Sequence, residues 1–145
     1  MQKIRKSRIV LLVAAVVIII AGALIVKQFV FGNPLQGKWV TSKGEYYLTI
    51  EEDQEAELLV LVNEEMVEVD IRYEIDRNSR MITLYVDSAT EYEDAVDDFD
   101  GKVSVAELSD KLEVILTSFD YSMEQNTLTL TEREYGEQII FTRVK

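Results

Sequence analysis

Carboxylates carry whatever chemistry this chain has. Its 145 residues include 27 Asp and Glu but neither cysteine nor histidine. Without those two types there is no disulfide, no Ser-His-Asp or Cys-His nucleophile system, and almost no route to a zinc site. One run of acids lies between residues 91 and 107. Glu91, Glu93, Asp94, Asp97, Asp98 and Asp100 precede Gly101, and Glu107 follows. Oxygen donors at Asp98, Asp100 and Glu107, set around a glycine turn, are the types that hold a hard cation such as calcium, here with weak affinity. The plainer reading is a solvated acidic turn. No two carboxylates stand out as a general acid and base, because acids recur on every outer strand face. The expectation is a protein that is not an enzyme, has no catalytic residues, and needs no cofactor beyond a weakly held Ca2+.

The charge is unevenly placed. Residues 1–31 hold Lys3, Arg5, Lys6, Arg8 and Lys27 and no acid. Residues 32–145 hold the other 10 basic residues and all 27 acidic ones, a formal net charge of −17. Such a segment repels phosphate backbones, so nucleic acid is excluded as a partner. Anionic lipid and wall polymers repel it too unless cations intervene.

The elements that position these groups follow in order. Met1–Arg8 is a basic head, and Ile9–Val26 is an unbroken apolar run of 18 residues. At helical rise that run is about 27 Å long, enough to span a hydrocarbon core. Residues 9–31 therefore read as a transmembrane anchor with its interfacial segment, Phe29 and Phe31 at the outer boundary. The basic head holds the N-terminus in the cytoplasm, which gives an N-in, C-out, single-pass protein of the cell membrane with an extracytoplasmic C-terminal domain. The competing reading is a signal peptide cleaved after Ala23, since Ala21-Gly22-Ala23 is an A-x-A-like triplet. Cleavage there leaves Leu24-Ile25-Val26 as a greasy new terminus, which favours the anchor.

Asn33–Trp39, holding the only Pro and the only Trp, opens a different pattern. Strands are read over Lys38–Ser42, Glu45–Glu51, Ala56–Val62, Met66–Asp76 and Met81–Asp87, with period-two alternation clearest in Met66–Asp76 and Ala56–Val62 apolar on both faces, hence central or covered. Two hairpins resemble each other, Tyr73-Glu74-Ile75-Asp76-Arg77-Asn78 with Ile82-Thr83-Leu84, and Tyr121-Ser122-Met123-Glu124-Gln125-Asn126 with Leu128-Thr129-Leu130. A last strand covers Gln138–Val144, for a total of eight. Residues 88–117 switch to helical spacing, with capping boxes at Ser88/Glu91 and Ser104/Glu107. The fold class is mainly β: a transmembrane helix, then residues 32–145 as a small antiparallel up-and-down barrel. A two-helix insertion separates strands five and six and lids a mouth or packs on the side.

Gly37-Lys38-Trp39, with Asn33 ahead of it and Phe141-Thr142-Arg143 at the end, resembles the signature of lipocalins and lipocalin-like domains. It looks more like the small lipocalin-like domains attached to Gram-positive membranes than like classical lipocalins. That resemblance implies that Arg143 packs across Trp39 and seals one end of the barrel. The insertion departs from the family, which places its main helix after the eighth strand. The acidic loop in turn resembles an EF-hand loop, with Gly101 as its turn glycine and Glu107 as its last ligand, but Val96 stands where the first aspartate belongs. The function expected is a membrane-anchored lipocalin-like binding module for a small apolar ligand or an envelope protein. Inward residues such as Val69, Ile71, Tyr73, Leu84 and Tyr121 would line the pocket. The alternatives are a filled barrel serving as accessory subunit of a membrane protein complex, and a weakly calcium-responsive module. Chain length leans towards the filled barrel.

Overall fold

The computed structural model describes residues 33–145. The basic head, the anchor at 9–31, its orientation and the cleavage after Ala23 lie outside the described residues. Among the described residues no helix is long and apolar enough to cross a membrane.

Eight antiparallel strands follow one another round a closed barrel. They are β1 (Gly37–Thr41), β2 (Tyr46–Ile50), β3 (Glu55–Val62), β4 (Glu65–Asp76), β5 (Met81–Tyr85), β6 (Ser118–Glu124), β7 (Thr127–Glu132) and β8 (Gln138–Arg143). Closure comes from the first and last strands, with Trp39 opposite Arg143, Val40 opposite Thr142 and Thr41 opposite Phe141. Every strand is therefore paired on both sides, and the hydrophobic core lies within residues 35–141. Such a unit has no edge strand, and Leu35–Lys145 is a compact unit with its own core.

Turn chemistry fixes the registers. Asn63 and Glu64 both adopt positive φ (50° and 68°), the two-residue hairpin geometry whose twist matches the flanking strands. It sets Val62 opposite Glu65 and, further along, Glu57 opposite Asp70. At the next turn the Asp76 carboxylate accepts the backbone N–H groups of Ser79 and Asn78. These bonds hold the carboxyl below its ordinary range.

The insertion lies between β5 and β6 as α1 (Thr90–Val96), a 3-10 turn (Asp97–Phe99) and α2 (Val105–Glu113). In a meander, alternate connections share an end, so the insertion joins the β1–β2, β3–β4 and β7–β8 turns at one mouth. β4 pairs with β3 through Glu65–Arg72 but with β5 only through Arg72–Asp76. Helix α1 packs against β4, and α2 packs against β3 and α1. Val103, Leu108, Leu112 and Ile115 are fully buried there. The Tyr46 hydroxyl donates to the Lys111 carbonyl, 2.9 Å, and the Asn63 amide to the Lys102 carbonyl, 3.2 Å.

The Ser104/Glu107 capping box is present: Ser104 Oγ accepts Glu107 N–H at 3.1 Å, and Glu107 Oε2 accepts Ser104 N–H at 3.2 Å. The Ser88/Glu91 box is not. Helix α1 begins one residue beyond Ala89 with no side-chain cap, and Ser88 Oγ instead accepts Thr90 N–H and the Thr90 hydroxyl. A serine oxygen two residues from a donor closes that short ring first, and the more distant cap is lost.

Candidate functional site

Three places in the domain were expected to do something. The first is the interior. Val69, Ile71, Tyr73 and Leu84 all point inward and expose 5% or less of their surface. Tyr73 and Leu84 face each other across β4 and β5, whereas Tyr121 stands apart on β6, half-buried beside Leu130. The Tyr73 hydroxyl donates to the Glu51 carbonyl. The rest of the inner wall, from Trp39 and Leu48 to Phe119, Leu130 and Phe141, is as buried. A chamber large enough for a ligand would leave its walls reachable by a water-sized sphere. At these exposures, among the described residues, the inward side chains meet one another and fill the barrel.

The second place is the mouth away from the helices. Arg143 stacks on Trp39 with its guanidinium carbon 4.3 Å from the ring centroid. Its Nη1 donates to the Gln36 carbonyl at 3.0 Å, and Trp39 Nε1 donates to the Leu35 carbonyl at 2.8 Å. Gly37 is required by this arrangement. Its φ of +136° suits glycine, and a Cβ there would stand 2.6 Å from Arg143 Nη1. Gly37 and Trp39 on β1 and Arg143, about a hundred residues later on β8, thus form one plug.

The third place is the acidic loop, and its three oxygen donors do not converge. Asp98 and Asp100 are exposed on the 3-10 turn and just after it, Asp100 in a left-handed conformation (φ 49°). The Glu107 carboxylate is already engaged: besides capping α2, its Oε2 accepts the Asn63 amide at 2.6 Å. Among the described residues, the acids whose oxygens lie within 4.8 Å of one another are Glu57, Glu68 and Asp70.

That trio sits on the outer face of β3 and β4. Period two puts each acid outward, but only the β3–β4 register makes them neighbours, so reading the strands singly does not find them. Partial burial, then the Glu68 and Asp70 charges, raise the Glu57 pKa above its ordinary value. Alongside runs a groove of about 300 Å3, lined by Glu51, Glu55, Ala56, Glu57, Asp70, Ile71, Arg72, Asp87 and Glu91. The Arg72–Asp87 ion pair, 3.6 Å, closes one side. Ile71 is the single residue shared with the expected pocket. Three clustered carboxylates suit a hard cation or a cationic side chain; an apolar ligand would find only Ala56 and Ile71.

No family model, curated protein or solved structure matches this chain.

Proposed function

We propose that the protein is a non-enzymatic interaction module of the cell envelope. In this reading a lipocalin-like barrel is held outside the cytoplasm by the segment 9–31 and acts through its outer surface on a neighbouring membrane or envelope protein. The observation that carries it is the filled interior. A carrier of small apolar molecules needs roughly 300 Å3 or more of enclosed apolar space. Here the inward side chains occupy that space, Leu108, Leu112 and Ile115 are buried at the helical mouth, and Trp39 with Arg143 closes the other. The plug of Gly37, Trp39 and Arg143 supports the lipocalin-like affiliation. The basic head and the 18-residue apolar run support the anchor.

Native mass spectrometry of the full chain extracted in mild detergent tests this reading. It should carry a second polypeptide and no stoichiometric small molecule. A retained apolar compound that shields inward residues such as Val69 and Leu84 from solvent exchange would defeat it. Protease added to intact cells should remove the domain and leave the N-terminus.

A further inference from the structure

The barrel is zipped along one flank of β4 and only in part along the other. β4 pairs with β3 from Glu65 to Arg72, but with β5 only from Arg72 to Asp76, so Glu65–Ile71 has a strand on one flank alone. The ladder fixes where the backbone groups point. The Tyr73 N–H donates to the Gln54 carbonyl. Tyr73 and, at steps of two, Ile71, Val69 and Val67 are therefore the residues that exchange hydrogen bonds with β3. Met66, Glu68 and Asp70 turn their N–H and C=O groups the other way. Among the described residues no hydrogen bond reaches those groups from that side, and all three residues are exposed. A row of unpaired donors and acceptors on a strand is the template for one strand more.

The chain's own next segment does not take that place, and charge is the reason. With Arg72 opposite Tyr85, two more residues of β5 would set Asp87 opposite Asp70, like charges directly across a ladder. Asp87 turns to Arg72 instead, at 3.6 Å, and the chain leaves the sheet for α1. That helix packs on β4, with Glu91 in the same groove as Asp70 and Arg72. It is a slight cover, seven residues with none buried, no side-chain cap and no base in its last turn. A helix spends its backbone groups on itself, so α1 leaves those of β4 unpaired. A second copy fits no better, because two such edges in antiparallel pairing set Glu68 and Asp70 against their own counterparts.

We infer that this edge receives an extended segment of another protein, basic at alternate positions and apolar between them, which displaces α1 and pairs with Met66–Asp70. Backbone hydrogen bonds hold such a strand, and its side chains select it. Basic groups opposite Glu68 and Asp70 meet both carboxylates, and Glu57, whose oxygens lie within 4.8 Å of theirs, adds a third charge. The residue between them falls opposite Val69, which is buried, and faces inward with it. The inference rests on the interaction-module reading and gives that module its surface and the chemistry of its partner.

Amide hydrogen exchange of the full chain in mild detergent, followed residue by residue by NMR, reads the edge and its occupant separately. Without ligand, Met66, Glu68 and Asp70 should exchange roughly tenfold or more faster than Val67, Val69 and Ile71. The probe is a capped pentapeptide, Lys-Val-Lys-Val-Lys. It should slow exchange at Glu68 and Asp70 by roughly tenfold or more and shift the amides of α1. Its binding should loosen as screening shortens from about 10 Å at 0.1 M salt to about 3 Å at 1 M. The same peptide methylated on the backbone nitrogens that face β4 keeps its charge but cannot donate, and should bind roughly tenfold or more weakly. Asp70→Lys should weaken the unmethylated peptide as much, whereas Glu124→Gln on β6 should leave it unchanged. Slow exchange at Glu68 and Asp70 in the free protein, no binding, protection elsewhere, or equal binding of the methylated peptide would overturn the inference. The methylated peptide acts on the unaltered protein, which keeps the test independent of whether a variant folds. A second polypeptide retained equally by the full chain and by Asp70→Lys would leave the interaction module standing and remove this edge as its site.

Discussion

The plug at the mouth away from the helices makes a quantitative demand. Removing the indole of Trp39, fully buried, empties an aromatic site at a cost of about 3–5 kcal/mol. Arg143→Ala removes a cation–π contact of about 0.5–2 kcal/mol and a charged hydrogen bond to the Gln36 carbonyl, for about 2 kcal/mol together. Because both substitutions act on one contact, the double variant should fall short of their sum by about 1 kcal/mol. Gly37 adds a second cycle of opposite kind. Gly37→Ala meets two penalties, a backbone at φ +136° and a Cβ 2.6 Å from Arg143 Nη1. The first persists in every background, at about 1–3 kcal/mol; the second disappears once Arg143 is alanine, so Gly37→Ala should cost less there. The assay is urea unfolding of residues 33–145 followed by far-ultraviolet circular dichroism, since Trp39 is the only tryptophan and fluorescence is lost in one arm. A domain of this size has about 5–15 kcal/mol in hand, whose upper range leaves all five variants measurable if denaturant begins at zero. Additive losses for Trp39 and Arg143, together with an unchanged Gly37→Ala penalty beside Arg143→Ala, would refute the plug as a unit.

Other variants read other parts of the molecule. Glu57 has a folded-state pKa above its unfolded one, because of burial and then Glu68 and Asp70. Its contribution is therefore intact below the unfolded value of about 4.3 and is lost as pH rises through the folded value. Glu57→Gln should gain a few tenths of a kcal/mol at pH 7, the scale of exposed like-charge pairs. At pH 3.5 it should gain nothing; an equal gain at both pH values would mean that charge is not the cause. Ser104→Ala removes the capping box of α2 and should cost about 0.5–2 kcal/mol, seen as faster amide exchange in α2 ahead of the barrel. Leu112→Ala, at the centre of the buried helix face, should cost about 2–5 kcal/mol and admit a hydrophobic dye; no loss of stability would mean that the helices are not a plug.

Much of this fold is written locally. Alternation from Val67 to Ile75 marks β4 with no help from the rest of the chain, and Ser104 with Glu107 announces α2. The glycine, tryptophan and arginine of the plug are legible as types, although only closure brings Arg143 to Trp39. What is not legible depends on partners distant in sequence. Ser88 offers the same cap as Ser104 and spends its oxygen on Thr90. Glu107 has the place of a cation ligand by spacing, yet Asn63, 44 residues earlier, takes its carboxylate. The acids Glu57, Glu68 and Asp70 become a cluster only when the Asn63-Glu64 turn fixes the β3–β4 register. Whether a barrel is hollow is the hardest to read, because period two separates inside from outside without saying whether opposite walls touch.

That last point moves the question of function to the outside of the barrel. Were solubility the only demand on the surface, acids could be spread evenly over the eight strands, since each outward position is equally open to water. They are not. β3 and β4 set Glu68 and Asp70 so close to Glu57 that they oppose its ionisation, while β8 and β1 leave Ile140 and Val40 without a carboxylate beside them. Crowding like charges on one wall costs stability, and exposing Ile140 and Tyr47 on another invites association. Neither improves the packing of a core that is already full. Two opposed departures from an even surface on one barrel thus lie on its outside, where the interaction proposed for this domain would act.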